Sequence, residues 1–130
     1  MIIFGTGIDL VENARIAASI EKFGDRFLNR VFLPEELAYC RTMRRATPHY
    51  AARFAAKEAV AKAFGCGITE RIGFLDIEVT RNEAGAPSIA LHGTARELAA
   101  ERGVTKIFLS LSHTDNYSVA NVTLTGLAGQ

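Results

Sequence analysis

The stretch YAARFAAKEAVAKAF, Tyr50 to Phe64, decides the fold. Pro48 stands just ahead of it and Gly65 and Gly67 follow it, so it reads as one helix opened by proline and closed by glycine. Alanine dominates it, which favours the helix and lets other backbones come close. Working outward, Ile2 to Val11 alternates as a strand does. One face carries Ile2, Phe4, Thr6, Ile8 and Leu10, the other Ile3, Gly5, Gly7, Asp9 and Val11. A helix follows from about Asn13, with Ile16, Ile20 and Phe23 inward and Gly24 as a stop. Phe27, Leu28, Val31 and Phe32 form an apolar cluster, and Pro34-Glu35-Glu36 opens another helix with its acids at the positive dipole end.

Downstream of the alanine-rich helix the pattern turns to strands. Leu75, Ile77 and Val79 alternate with Asp76, Glu78 and Thr80. A turn over Asn82 to Ala86 returns the chain through Pro87 to Leu91. Thr94-Ala95-Arg96-Glu97 has the form of a capping box opening a short helix that ends near Gly103. Strands over Lys106 to Ser112 and Tyr117 to Thr125 close the chain around the turn His113 to Asn116. Helices first and hairpins later predict a single α+β domain over residues 1–130, its helices packed on a largely antiparallel sheet.

With 130 residues, 15 Lys+Arg against 14 Asp+Glu and 48% hydrophobic content, the chain fits one ordinary globular domain. It contains no apolar run long enough to cross a bilayer, and its N-terminus lacks the basic start of a signal peptide. Cys40 and Cys66 fit neither a disulfide framework nor a zinc-ligand spacing, so a reduced, cytoplasmic protein is expected. Residues 1–65 carry ten basic and seven acidic side chains, the remainder five and seven. That mild asymmetry argues against general nucleic-acid binding and suits an acidic protein partner or a phosphorylated small molecule, unless it is only an uneven solvated surface.

Three polar residues stand where a core pattern does not want them. Asp9 shares a strand face with Gly5 and Gly7, two glycines that clear space for something bulky; it reads equally as a ligand or as a helix cap. Glu58 falls on the helix face of Ala51, Phe54, Ala55 and Ala61, where an unpaired charge is costly. Its simplest partner is Lys62, one turn on. His113 ends the parity Ile107, Leu109, Leu111, and its run with Ser112 and Asp115 is no triad, because triads are assembled by the fold rather than by adjacency. No phosphate loop, nucleophile elbow, zinc motif or dinucleotide fingerprint is present. Two carboxylates and nearby bases suit Mg²⁺ completed by substrate phosphates, with Lys62 as a point charge toward them.

Gly7-Ile8-Asp9-Leu10-Val11, Arg53-Phe54-Ala55-Ala56-Lys57-Glu58-Ala59, Lys62 and Ser110-Leu111-Ser112-His113 together resemble the holo-(acyl-carrier-protein) synthases, the short bacterial type of 4′-phosphopantetheinyl transferase. The likeness spans essentially the whole chain, and the Arg-Phe-Ala-Ala-Lys-Glu-Ala run is its most specific element. It implies transfer of 4′-phosphopantetheine from coenzyme A to a serine of apo acyl carrier protein, releasing adenosine 3′,5′-bisphosphate, in fatty acid biosynthesis. Asp9 and Glu58 would hold Mg²⁺, Lys62 the pyrophosphate, and Asp9, Glu58, Lys62 and His113 would form the catalytic set. Arg53, Gly65, Pro87 and Ser112 would border the coenzyme A pocket with His113. Arg15, Lys22, Arg26 and Arg30 would dock the acidic helix of the carrier. The general base stays open among Glu58, a water on the metal, His113 and a carboxylate of the carrier.

The resemblance also implies a homotrimer with sites between subunits. The alanine-rich helix and Val119, Val122 and Leu124 are the surfaces expected to meet a neighbour. Two other activities fit part of the pattern. A non-catalytic trimeric module for acidic helices would leave Asp9, Glu58 and Lys62 without a task, and a Mg²⁺-dependent pyrophosphatase would differ in using water as acceptor.

Overall fold

In chain order, β1 (Ile2–Glu12) leads into α1 (Asn13–Phe23), α2 (Asp25–Val31), α3 (Pro34–Arg41) and α4 (Ala46–Ala63). A single 3-10 turn (Phe74–Asp76) precedes β2 (Ile77–Arg81), β3 (Pro87–Leu91), α5 (Gly93–Arg102), β4 (Val104–His113) and β5 (Tyr117–Gly126). The structure, a computed structural model, describes residues 1–127, so the last three residues of the expected domain lie outside the described residues. The α+β class holds, with the strands divided between two antiparallel sheets: β1-β5-β4, and the hairpin β2-β3. Among the described residues no helix is long and apolar enough to cross a membrane.

The alanine-rich stretch is α4, and it lies across β1 and β5. Ala51, Ala55, Ala59 and Ala61 are fully buried, and Val122 and Leu124 of β5 are buried as well. The space above Gly5 and Gly7, read as clearance for a bulky ligand, is occupied by this helix. A Cβ at Gly7 would be driven into the carbonyl oxygen of Ala59, and one at Gly5 into that of Ala63. The glycines thus set the distance between helix and strand. Paired rows run beneath α4, Gly7 opposite Val122 opposite Leu109, and Asp9 opposite Ala120 opposite Leu111.

Two polar clamps tie the other elements to this pair of layers. Lys57 of α4 is fully buried, its Nζ donating to Glu36 Oε1 at 2.7 Å and to the Phe74 carbonyl at 2.9 Å. Glu36 accepts in turn from the backbone amides of Leu33 and Val79, both at 2.8 Å, so α3, α4, the 3-10 turn and β2 meet on one satisfied ion pair. Asn13 is also buried. Its Nδ2 donates to the Thr114 and Asp115 carbonyls and its Oδ1 accepts from Ser118 Oγ, fastening the start of α1 to the β4–β5 turn. Neither clamp carries a periodicity signal, and both were missed.

Other expectations change. Phe23 is exposed rather than inward, because α1 ends there and turns at Gly24. Thr94 makes no capping box: α5 starts at Gly93, and the Thr94 hydroxyl turns toward Glu70 and Asp76. Val122, Leu124 and the alanine face of α4 pack within the chain, which leaves Ile2, Phe4, Ile8, Leu10 and Phe108 as the exposed apolar side chains of the sheet's outer face.

Gly7→Ala should lose at least about 1–3 kcal/mol in urea unfolding, because the added methyl meets helix backbone and cannot rotate away. Lys57→Met should lose about 3–5 kcal/mol by leaving Glu36 charged and buried alone.

Candidate active site

The close approach of α4 to β1 brings Asp9, Glu58 and Lys62 to one corner. Asp9 projects from β1 on the helix-facing side, and Lys62 Nζ donates to Asp9 Oδ1 at 2.7 Å and to the Ile8 carbonyl at 3.2 Å. Asp9 caps no helix; Glu12 precedes α1 and offers it no side-chain bond. Lys62 pairs with Asp9 across the layers rather than with Glu58 along the helix, so the simple i, i+4 pair is not formed. Glu58 is left half-buried, with no ion pair among the described residues. Burial first, and then the Asp9 carboxylate, push the Glu58 pKa above its usual value, with Lys62 opposing.

A half-buried carboxyl whose charge is disfavoured, beside a carboxylate that already holds the one nearby cation among the described residues, is an incomplete electrostatic set. A hard divalent cation would complete it: oxygen donors suit Mg²⁺, which takes one or two carboxylates and leaves its other positions to water and phosphate. Among the described residues no group of three or more His, Cys, Asp or Glu gathers to form a self-sufficient metal cage. The donor set therefore fits a metal shared with a phosphorylated substrate better than a structural ion.

Further back along α4, Arg53, Pro87 and His113 line one cavity of about 210 Å³. Arg53 is buried, and its guanidinium lies 4.3 Å from the centre of the Tyr39 ring. Arg53 precedes Glu58 by five residues, about 7.5 Å along the axis and about 140° around it, so cavity and carboxylate corner lie on different faces of one helix. Gly65 lies beyond the other end of α4, with φ +82° and open space around it, outside that cavity. Ser112 is exposed beside His113 and does not line the cavity either. Arg15 and Lys22 are exposed on one face of α1, and Arg26 and Arg30 flank a small depression with Phe23 and Phe27. The exposed Phe23, misread as core, thus sits among the basic side chains.

The family model of the 4′-phosphopantetheinyl transferase superfamily matches residues 5–122. A holo-[acyl-carrier-protein] synthase of Koribacter versatilis is 48% identical over 122 residues, covering 94% of this chain and 98% of that protein. The Geobacter sulfurreducens protein of that name is 44% identical over 122 residues, covering 94% and 97%. Among solved structures, the Neisseria meningitidis holo-[acyl-carrier-protein] synthase superposes with a TM-score of 0.90 at 33% identity, covering 95% of this chain and 99% of that one. The Helicobacter pylori enzyme, solved in complex with coenzyme A, gives 0.82 at 32% identity, covering 92% and 99%. The chain belongs to the holo-[acyl-carrier-protein] synthase family of 4′-phosphopantetheinyl transferases.

The raised Glu58 pKa has a signed consequence for stability. A carboxyl that holds its proton more tightly folded than unfolded supports the fold fully at low pH and loses that support as pH rises through its folded value. Glu58→Gln should therefore raise the melting temperature relative to wild type at pH 7.5 and make little difference at pH 4, read by thermal unfolding at both.

Proposed function

We propose that this chain transfers 4′-phosphopantetheine from coenzyme A to the side-chain oxygen of a serine on apo acyl carrier protein, releasing adenosine 3′,5′-bisphosphate. The observation that carries the reading is the Asp9–Lys62–Glu58 corner, a site for phosphate chemistry with no nucleophile of its own. The relatives' printed name and the Helicobacter pylori complex with coenzyme A support the same donor and acceptor. In the step itself the serine oxygen, giving its proton to a general base, forms a bond to the phosphorus that bears pantetheine, and the bond from that phosphorus to the pyrophosphate bridge oxygen breaks. Lys62 then faces the charge that develops on the departing phosphate, and His113 and Arg53 border the coenzyme A pocket. Asp9 and Glu58 would hold Mg²⁺, which when bound neutralises pyrophosphate charge.

Arg15, Lys22, Arg26 and Arg30 suit the acidic helix of a carrier, and the depression between Arg26 and Arg30 offers Phe23 and Phe27 to an apolar side chain of that helix. The exposed apolar side chains of the sheet's outer face, Ile2, Phe4, Ile8, Leu10 and Phe108, suit burial between subunits, in keeping with a homotrimer whose sites lie at its clefts. A cytoplasmic setting and a role in fatty acid biosynthesis complete the reading.

Mass spectrometry of apo carrier incubated with the protein, Mg²⁺ and coenzyme A should show the added phosphopantetheine. Asp9→Ala and Glu58→Ala should each abolish most of it, as should a chelator acting on wild type. Release of phosphate products with the carrier left unmodified would instead favour hydrolysis by water. Charge reversal at Arg15 or Arg26 should weaken carrier binding and flatten its salt dependence, with coenzyme A affinity little changed in titrations of each substrate.

A further inference from the structure

Asp9 and Lys62 hold each other in a way that a metal site cannot keep. Lys62 Nζ donates to Asp9 Oδ1 at 2.7 Å and to the Ile8 carbonyl at 3.2 Å, so both of its acceptors belong to β1. The Asp9 side chain is 15% exposed and that of Lys62 49%, so the lysine rather than the carboxylate is the part open to solvent. Among the described residues no other cation pairs with Asp9.

Lys57, earlier on the same helix, shows the contrast. Its ammonium is wholly buried and bonded to Glu36 and the Phe74 carbonyl, so releasing it would strand two buried charges. Lys62 has a flexible stem, a half-exposed ammonium, and water at hand to replace any bond it gives up. Its contact with Asp9 can therefore open by side-chain rotation alone. A divalent ion approaches a carboxylate oxygen to about 2.0–2.1 Å. An ammonium still bonded to that carboxylate would stand within a few ångströms of the ion, like charge against like charge in a partly buried corner. Glu58 offers the lysine no refuge, because it is the second carboxylate of the same proposed metal pair.

We propose that Lys62 stands in for the metal at Asp9 in the free protein, closing that carboxylate until a divalent cation displaces it and frees its ammonium for the substrate phosphate. This rests on the metal pair and the transferase reading above, and it adds to them a link between the two ligands. Coenzyme A gives the displaced lysine a new anionic partner and so tightens metal binding. The metal tightens coenzyme binding by the same factor, since such couplings are reciprocal. Until the metal arrives, the lysine also keeps Asp9 from facing Glu58 as a bare second charge.

Two measurements test the displacement. In Mn²⁺ titrations followed by electron paramagnetic resonance without coenzyme A, Lys62→Met should bind the ion about tenfold more tightly than wild type. Adding coenzyme A should then raise Mn²⁺ affinity less in Lys62→Met than in wild type. The second measurement separates displacement from the mere field of a neighbouring charge. The chain's lysines are Lys22, Lys57, Lys62 and Lys106, so lysine-labelled protein gives few ammonium signals in nuclear magnetic resonance. Saturating Mg²⁺ should speed exchange of the Lys62 ammonium protons with water to the rate seen in Asp9→Asn, and leave those of Lys57 unchanged. Mn²⁺ affinity in Lys62→Met no higher than in wild type overturns the proposal, as does Lys62 exchange unaltered by Mg²⁺. In both cases the metal pair and the transferase reading stand, provided Asp9→Asn weakens Mn²⁺ binding. Wild-type Mn²⁺ affinity in Asp9→Asn overturns the metal pair and the proposal together.

Discussion

The backbone of α4 rests on a strand stripped of side chains at Gly5 and Gly7, and the arrangement of the site depends on that contact. Side chains at these positions would meet the carbonyl oxygens of Ala63 and Ala59, so the helix sits as near to β1 as two backbones allow. Alanine on the helix and glycine on the strand are two halves of one constraint. Asp9 is the next residue on the glycine face of β1, and Glu58 and Lys62 flank the alanines that touch it. Their meeting at one corner follows from the closeness of the layers, since a larger residue at position 7 would hold Asp9 and Lys62 apart.

Around that contact the fold divides its charges into settled and unsettled groups. Lys57 and Glu36 are both wholly buried, and their remaining polar atoms find backbone partners, so the pair locks α3 and β2 against α4 without asking for a ligand. Glu58, the very next residue, projects about 100° further round the helix, with no ion-pair partner among the described residues and a raised pKa. Arg53, one turn before Lys57, is buried with a donor unmade. Three charged residues within six positions thus have different fates, and the two unsatisfied ones border the regions suited to phosphate and metal. Strain of this kind, held by a rigid helix, is how a site stays organised before its substrate arrives.

Much of this was legible in the sequence. The period of α4, the alternation of β1 and the hairpins of the second half give the elements and the α+β class, because apolar spacing reports burial directly. Asp9 and Glu58 stood out because each breaks an apolar pattern. Register and layer distance were not legible. Gly5 and Gly7 announce a close approach without saying what approaches, and the helix rather than a ligand fills the space. The Lys62–Asp9 pair crosses layers 53 residues apart in sequence, so local spacing pointed to Glu58 instead. Asn13, Glu36 and Lys57 act through backbone atoms and through each other, which leaves no periodic trace. Phe23 and Val122 were misassigned because hydrophobicity says that a side chain seeks cover and not whether its own chain provides it.

The claim that the helix–strand contact sets the geometry of the proposed metal pair is open to one direct measurement. Mn²⁺ suits the same oxygen donors as Mg²⁺ and can be followed by electron paramagnetic resonance in the presence of coenzyme A. Gly7→Ala carries no ligand and changes no charge, so the expected result is a folded variant that binds Mn²⁺ markedly more weakly than wild type, as Asp9→Asn should too. A folded Gly7→Ala protein with wild-type Mn²⁺ affinity would contradict it, and would mean that Asp9 and Glu58 find the cation without help from the distance between their layers.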